Sequence, residues 1–395
     1  MAPQKHRRSN KIRAAVACSL PPDILLEIVA RADIITIFRC AAVCKHLRRD
    51  ILSMPFIRRV TQQAAPCILA LFCTYDEEPL TLVHPVTPAA ASFCHDQLSH
   101  FMLRNAGKDV LTPYYPVISR GGFVVLHLKD KSKSKGCFDL CVYHPMTGHR
   151  MFLPEPPNTE SSIYNHHEYV LLTEADDIGC SFMLLSIVFN RSRISVRTAT
   201  SSSASWGPIT CANHHDYTGW SISGYNNPAV LRGGVIHWLA HAGDQIITYD
   251  VRTRTPGRVK LPLTNRSARH LHLVTSRDGN LLKLLDIERF IISVWLQLPT
   301  ARIGGDGDGW ALETVINIEQ KLQLLYPDIR ATGCPDVEFE GSGERNGHVV
   351  FLEVQDRQGF IVLDLDTKEM HTQEEIFSLL EINLPSRLQT MKVFS

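Results

Sequence analysis

Histidine is the residue type whose positions come nearest to a metal-binding pattern in this chain, with candidates at His166, His167, His214, His215, His270 and His272. Adjacent side chains on a strand point to opposite faces of the sheet, so an adjacent pair cannot bind one ion unless the chain turns there. No cysteine or carboxylate lies at a convincing ligand spacing near them in the sequence. The pattern therefore favours polar histidines in loops or on the surface, and we expect no metal ligand.

The segment GGDGDG, Gly304–Gly309, has the composition of a calcium-binding loop. Counted from Asp306, the fifth position is Trp310 and the twelfth is Asn317, where such a loop needs an oxygen ligand and a bidentate Glu. The segment is therefore predicted to be a flexible hairpin loop. We expect no cofactor.

Eleven cysteines are scattered along the chain without a C-x-x-C motif. Cys44 lies inside an apolar helical pattern, which favours a packing thiol over a nucleophile, since a nucleophile needs a nearby base. The sequence also lacks a P-loop, a G-x-S-x-G, an H-E-x-x-H and a G-x-G-x-x-G after a strand. We therefore expect no catalytic residues and a protein that is not an enzyme.

Composition and length indicate a folded chain of two domains. The 395 residues are 44% hydrophobic and 21% charged, which argues against wholesale disorder. No apolar stretch reaches the roughly 18 residues of a transmembrane helix. The apolar run Ala14–Leu20 is short and ends at Pro21, so we expect no signal peptide. An odd number of cysteines without a signal peptide predicts reduced thiols and a cytoplasmic or nuclear location.

Charge is distributed unevenly. Residues 1–60 contain 12 Lys and Arg against 4 Asp and Glu, a net charge of +8, whereas the remaining residues contain 29 against 36, a net charge of −7. A basic head on an acidic body indicates an acidic partner, although charge alone does not distinguish a protein, a nucleic acid or a membrane. For residues 1–17, a disordered, solvated tail is favoured over a nuclear signal or a nucleic-acid contact.

Residues 18–60 carry the periodicity of three short helices. The first begins at Pro22 and Asp23, since a first turn tolerates proline and favours acid; Asp33 is predicted to cap the second, and Pro55 to end the third. Their apolar positions are Ile24, Leu25, Ile28 and Val29, then Ile34, Ile37, Phe38 and Ala41, then Val43, Cys44, Leu47 and Ile51. So small a unit buries little surface and tends to need a partner.

From about residue 65 onwards, short apolar runs alternate with Gly, Pro, Asn and Asp turns, a pattern typical of β-strands. A Gly-led strand recurs near residues 121, 233 and 347, each followed by a strand that ends in a turn with Asp or His before Thr. This repeat of about 112 residues divides into smaller units and predicts a β-propeller over residues 65–395, with about six or seven blades. The recurring turn is interpreted as hairpin chemistry. The segment Glu374–Leu384 either closes the ring or forms a helix.

The segment Leu20–Val60 resembles an F-box. Its Leu-Pro pair, the acid at Asp23, the apolar helix that follows and the Val-Cys-Lys sequence beginning at Val43 match the family pattern, while Leu47 stands where the family usually has Trp. The remainder resembles the propeller-like associated domains of plant F-box proteins, with their W-L and Y-D-V turns. The fold class implied is an α+β multidomain chain, a three-helix F-box over residues 18–60 followed by the all-β domain.

This resemblance implies docking on the Skp-type adaptor of a cullin–RING ubiquitin ligase, through Leu20, Pro21, Ile24, Leu25, Ile28, Val43, Cys44 and Leu47. For Ile28 and Leu47, packing inside the helical module is an equal alternative. Skp-type adaptors are acidic in this family, which suits the basic head. We expect neither a membrane partner nor a nucleic acid.

The implied role is a non-catalytic adaptor whose β-domain holds an unknown protein substrate, through loops on one face of the propeller. Trp220, Tyr225 and Trp310 are candidate anchors for that substrate, with packing in the core as an equal alternative. Two rival interpretations stay open. One is a free-standing propeller that acts as an enzyme or a binding protein, and the other is a scaffold without ligase coupling, since Leu47 replaces Trp.

Overall fold

The computed structural model divides the chain into two units, with the boundary between residues 64 and 65. It describes residues 20–32, 34–43, 45–53, 55–56, 59–60, 68–72, 81–83, 113–128, 138–144, 148–157, 167–190, 193–213, 228–240, 245–262, 267–276, 278–298, 309–329, 335–343, 349–373 and 378–381. None of the helices in these ranges is both long and apolar enough to cross a membrane.

The N-terminal unit contains the three predicted helices, α1 (Pro22–Ala30), α2 (Ile34–Val43) and α3 (Lys45–Ile51). Pro22 and Asp23 occupy the first turn of α1, as predicted. Val43 ends α2 instead of opening α3, and the predicted cap at Asp33 lies outside the described residues.

A few apolar side chains form the core of this unit. The buried ones among its described residues are Val29, Ala30, Ile37, Ala41, Ile51, Phe56 and Val60. These residues come from all three helices and from the segment after α3. A unit of this length buries little apolar area, so we expect it to be marginally stable by itself.

The C-terminal unit is an all-β propeller. Its described strands form five four-stranded antiparallel sheets, numbered here as blades 1 to 5, and each sheet follows the order of the chain. The strands of blades 1 to 3 are β3 (Tyr114–Arg120), β4 (Phe123–Leu128), β5 (Leu140–His144), β6 (His149–Leu153), β7 (Glu168–Thr173), β8 (Phe182–Asn190), β9 (Arg193–Thr200), β10 (Thr210–Asn213), β11 (Ala229–Leu231), β12 (Val235–Leu239), β13 (Gln245–Asp250) and β14 (Thr255–Lys260).

Blades 4 and 5 continue this arrangement. Their strands are β15 (Leu271–Thr275), β16 (Leu282–Glu288), β17 (Ile291–Gln297), β18 (Trp310–Asn317), β19 (Val337–Ser342), β20 (Val349–Val354), β21 (Phe360–Asp364) and β22 (Met370–Gln373), and a short helix α4 (Glu319–Leu325) follows β18. The first strand of a blade contacts its counterpart in a neighbouring blade, as β3 contacts β7 and β15 contacts β19. The first strands are therefore the innermost.

A further three-stranded sheet joins the two ends of this unit. It has the order β2 (Thr81–Val83), β1 (Ile68–Phe72), β23 (Ser378–Glu381), with Ile68 opposite Glu381. The C-terminal strand β23 also contacts β3 of blade 1. Of the two alternatives left open by the sequence, ring closure is therefore observed for residues 378–381.

The predicted number of six or seven blades is wrong, since the described strands form five four-stranded blades. The first strands of these blades begin at residues 114, 168, 229, 271 and 337, so successive blades start 42 to 66 residues apart. The prediction assumed blades of about 40–50 residues that filled the whole span evenly. The actual spacing is wider, because connections between blades vary in length.

The repeat seen in the sequence corresponds to alternate blades. The Gly-led segments become β4, β12 and β20, the second strands of blades 1, 3 and 5. The turn chemistry predicted for the repeat is confirmed in two blades: Oδ1 of Asp250 accepts hydrogen bonds from two following backbone N–H groups, and Oδ1 of Asp364 does the same. The short Asx turn reverses the chain between the third and fourth strands.

Hydrophobic side chains from neighbouring blades pack together in four clusters, one at each interface from blade 1 to blade 5. Leu171 and Val125 meet between blades 1 and 2, Val170 and Trp238 between blades 2 and 3. Leu239 and Leu284 meet between blades 3 and 4, and the last cluster lies between blades 4 and 5. Each blade therefore depends on its neighbours for burial of its apolar faces.

A buried ion pair ties three blades together. The guanidinium group of Arg120, at the end of β3, donates to the two carboxylate oxygens of Asp176 at 3.0 and 2.7 Å, and to the carbonyl oxygen of Val230 in β11 at 3.2 Å. The side chains of Arg120 and Asp176 are only 13% and 5% exposed. Asp176 belongs to the 3₁₀ turn between β7 and β8, so the contact links blades 1, 2 and 3.

Close backbone packing accompanies this ion pair. Gly121 follows Arg120 with a φ of +57°, and a Cβ atom there would lie 2.6 Å from Oγ1 of Thr173. The corresponding turns of later blades are joined by backbone bonds, from Gly233 N to the Asp176 carbonyl and from Arg232 N to the Gly279 carbonyl. At this end of the propeller, the turns after the first strands of blades 1 to 4 form a continuous bonded chain.

The Asx turn of blade 3 generates a first prediction. Asp250→Ala removes the acceptor of two backbone N–H groups, so we expect the free energy of unfolding to fall by about 1 kcal/mol. Urea denaturation measures this change. Asp250→Asn is the matched control, because it keeps Oδ1 as an acceptor and should lose clearly less. Equal losses in the two variants would contradict the assigned turn.

The ion pair generates a second prediction. Asp176→Asn removes the carboxylate charge that faces the buried Arg120 guanidinium, so we expect a loss of about 3–5 kcal/mol in the free energy of unfolding. The double variant Arg120→Met/Asp176→Asn should be less destabilised than the sum of its two single variants, since it removes both charges. Chemical denaturation of all four proteins tests this, and simple additivity would show that the two charges are not coupled.

Candidate functional site

Exposed apolar side chains lie on α1 of the N-terminal unit and just before it. Leu20, Ile24 and Ile28 are 44%, 46% and 52% exposed, and they are spaced four residues apart in the sequence. Ile24 and Ile28 lie on the same face of α1, since residues four apart share a helix face, and Leu20 precedes the first residue of the helix. The opposite face of α1 carries Val29, which is buried in the unit's own core. These three exposed side chains are therefore available for a partner.

The other predicted adaptor contacts fall into three groups. Val43, at the end of α2, is 72% exposed, and Pro21 is exposed as well. Leu25 and Leu47 are half-buried, so each can both pack inside the unit and reach a partner. Cys44 lies outside the described residues. The exposure of Ile28 disfavours the alternative that it belongs to the core of the unit.

The N-terminal unit also exposes positively charged side chains. Arg39, Lys45 and Arg49 are exposed on α2 and α3. Glu27 is held by Arg59 and by Arg31, 2.9 Å away, and these two guanidinium groups lower the pKa of the Glu27 carboxyl. The paired Glu27 therefore joins α1 to the segment after α3.

The propeller has a second surface with aromatic and acidic side chains, where the first strands of blades 1 and 2 begin. Tyr115 is 40% exposed and packs against His127 with ring centroids 5.5 Å apart. Tyr169, on blade 2, is half-buried, and burial, then the charges of Glu155 and Asp139 and the neighbouring Tyr115, raise its pKa. The Glu155 backbone N–H donates to Oδ2 of Asp139 at 2.9 Å. We call Tyr115, His127, Tyr169, Asp139 and Glu155 the blade 1–2 surface.

No motif in the sequence identifies the blade 1–2 surface. Its residues are spread between positions 115 and 169, and they converge only because β3 and β7 lie side by side. Burial raises the pKa of the neighbouring Glu168, at the start of β7, to about 7. Aromatic residues beside predicted turns were the one feature of the sequence that could have pointed to this surface.

Of the three aromatic anchors predicted from the sequence, Trp220 and Tyr225 lie outside the described residues. Trp310 is half-buried; its Nε1 donates to the carbonyl oxygen of Lys260 at 2.8 Å, across the interface of blades 3 and 4. Trp206 makes the same bond to Pro154 between blades 2 and 1. Trp310 is therefore a contact between blades, in agreement with the packing alternative.

The predicted calcium-like loop lies outside the described residues, except for its last residue, Gly309. Three of the candidate histidines also lie outside them: His166, His214 and His215. The surface prediction is wrong for His272, which is 0% exposed and stacks on Phe339. An apolar interface between blades 4 and 5 encloses it. His270 is partly exposed, and its ring lies beside the carboxylate of Asp336 from the next blade. The spacing of residues along the chain did not predict this contact.

Two regions of the chain match known families. Residues 86–394 match the family described as "Domain of unknown function (DUF7595)", and residues 18–58 match the F-box domain. No curated protein matches the sequence significantly.

Solved structures with a similar arrangement share little sequence. A streptogramin B lyase is 11% identical, with 66% of this chain and 68% of that chain covered and a TM-score of 0.35. A protein from Lactobacillus plantarum is 11% identical, with 78% and 81% covered and a TM-score of 0.37. Virginiamycin B lyase from Staphylococcus aureus is 10% identical, with 66% and 69% covered and a TM-score of 0.35.

The buried histidines predict how stability depends on pH. Burial lowers the pKa of His144, His237 and His272 to about 4 in the folded protein, below the value of about 6.5 in an unfolded chain. Between these values the unfolded chain binds protons that the folded one does not, so stability is present above pH 6.5 and is lost as the pH falls towards 4. Glu168, with its raised pKa, opposes this trend.

In His272→Leu, the free energy of unfolding should fall less steeply as the pH drops from about 6.5 to 4. The expected difference in slope corresponds to about one proton. Denaturation midpoints measured across this range test it, with His46→Leu on the exposed surface of α3 as the control. An unchanged pH dependence in His272→Leu would contradict a neutral, buried His272.

Proposed function

The chain belongs to the family described as "Domain of unknown function (DUF7595)" and carries an F-box domain at its N-terminus, and from this premise we propose that it is the substrate-recognition adaptor of a Skp–cullin–F-box ubiquitin ligase. The observation that carries the proposal is the exposed row of Leu20, Ile24 and Ile28 on the F-box unit. Apolar side chains of this size, lined up and uncovered, mark a surface for a partner protein. F-box domains typically bind Skp-type adaptors, and this row is the proposed contact.

The proposed adaptor contacts are those implied by the sequence: Leu20, Pro21, Ile24, Leu25, Ile28, Val43, Cys44 and Leu47. The small core of the unit supports this assignment, since an adaptor would bury surface that the unit cannot bury itself. The net charge of +8 over residues 1–60 supports an acidic partner.

The propeller holds the substrate in this proposal, and the blade 1–2 surface is the proposed place. Exposed Tyr115 supplies an aromatic side chain of the kind favoured at the centre of interfaces, and Asp139 and Glu155 favour a basic segment of the substrate. The opposite end of the propeller is occupied by the bonded turns around Arg120 and Asp176. The protein then acts without bond chemistry of its own, by raising the effective concentration of the substrate near the ubiquitin-conjugating enzyme.

Binding of the full-length protein to a purified Skp-type adaptor tests the first half of the proposal. Leu20→Ala/Ile24→Ala removes two exposed apolar side chains, each worth about 1.5–3 kcal/mol when fully buried, so we expect affinity to fall more than about tenfold. Added salt should weaken wild-type binding, because the unit is basic. Calorimetry or surface plasmon resonance measures both effects.

Leu312→Ala/Val315→Ala is the matched control, since these side chains are equally exposed but lie on β18 of the propeller. It should bind the adaptor like the wild type. A folded full-length chain that does not bind at micromolar concentrations would reject the ligase role. The alternative, a free-standing propeller that binds its ligand without ligase coupling, would then explain the family's fold.

A further inference from the structure

Three metal-binding side chains converge at the interface of blades 4 and 5. His270 ends the 3₁₀ turn Ala268–His270 just before β15, whereas Asp336 immediately precedes β19 and Glu338 is its second residue. Nε2 of His270 is 2.9 Å from Oδ1 of Asp336, and one ligand atom from each of the three residues lies within 4.8 Å of the others. Asp336 and Glu338 are two residues apart on an extended chain, so their side chains share a face.

The spacing of these atoms suits a first-row divalent cation. Zinc binds imidazole nitrogen and carboxylate oxygen at about 2.0–2.2 Å, which places the ligand atoms of a tetrahedral site about 3.3 Å apart. The widest pair of ligand atoms therefore needs to close by about 1.5 Å at most, and His270 and Asp336 need to open by about 0.4 Å. Their side chains are 29%, 50% and 27% exposed, for His270, Asp336 and Glu338, so an ion can reach them.

An excess of negative charge independently points to a cation at the same place. Glu338 stands directly opposite Glu353 in the pairing of β19 with β20, and like charges in opposite positions destabilise a sheet. Arg269 offsets one of these charges at 3.5 Å from Glu338. Asp336, Glu338 and Glu353 thus bring three carboxylates to the first part of β19 and its partner strand, and Arg269 contacts one of them.

We propose that His270, Asp336 and Glu338 bind one divalent transition-metal ion, with zinc as the best match, and that this ion fastens blade 4 to blade 5. Imidazole nitrogen favours zinc over magnesium or calcium, and carboxylates are acceptable to all three. Three protein ligands leave at least one position for water. The ion replaces the contact of His270 with Asp336 by a stronger link between the same two blades.

The test uses the full-length reduced protein, stripped of metal with EDTA and dialysed, and titrated with Zn²⁺ in a calorimeter. We expect one site per chain that His270→Ala weakens more than about tenfold. Glu338→Gln, which is close in shape and keeps the fold, should weaken the same site. His149→Ala changes an exposed histidine of blade 1 and is expected to bind like the wild type.

Cobalt separates this site from cysteine sites elsewhere in the chain. Co²⁺ at a nitrogen and oxygen site lacks the thiolate charge-transfer absorption that cysteine ligands produce. We expect that absorption to be missing, and Zn²⁺ to raise the unfolding temperature of the wild type but not of His270→Ala. Unchanged binding in both His270→Ala and Glu338→Gln, a thiolate spectrum, or no binding up to millimolar Zn²⁺ would each overturn the proposal.

Discussion

No blade of this propeller can bury both of its faces by itself, and this constraint governs most of what the rest of the chain does. Each apolar cluster draws its side chains from two neighbouring blades, as Val170 and Trp238 show between blades 2 and 3. A row of such blades exposes an apolar face at each end unless the ends meet. Pairing of β1 with β23 brings the two ends of the unit into one sheet, so the last residues contribute to the same structure as the first.

The sequence predicts the type of each secondary-structure element better than it predicts the number of blades. Alternating apolar runs and the Asx turns at Asp250 and Asp364 specify strands and hairpins because both are local properties of the chain. The three helices follow from periodicity in the same way. The number of blades depends on the lengths of the connections between them, and these leave no periodic signal. The repeat of about 112 residues is visible in the sequence only because Gly-led strands occur in alternate blades.

Sites are harder to predict than elements, because their residues meet only after the blades have packed. The exposed apolar residues on and just before α1 could be found, since Leu20, Ile24 and Ile28 are close in sequence and four residues apart. The exposure of these side chains could not be predicted, because the same spacing is also found on the buried face of a helix. His270 and Asp336 are 66 residues apart and touch through the adjacency of β15 and β19. Linear spacing therefore assigned the wrong environment to His272 and left His270 without its partner.

Polar contacts of several kinds join neighbouring blades, in addition to the apolar packing that all of these interfaces share. Arg120 and Asp176 tie blades 1 and 2, and Arg252 donates to the Asp177 carbonyl between blades 3 and 2. Trp310 joins blades 4 and 3. Apolar packing is non-directional and permits neighbouring blades to slide, whereas a hydrogen bond or ion pair has one geometry. We infer that these contacts set the register of the blades, while the apolar clusters supply most of the free energy of unfolding.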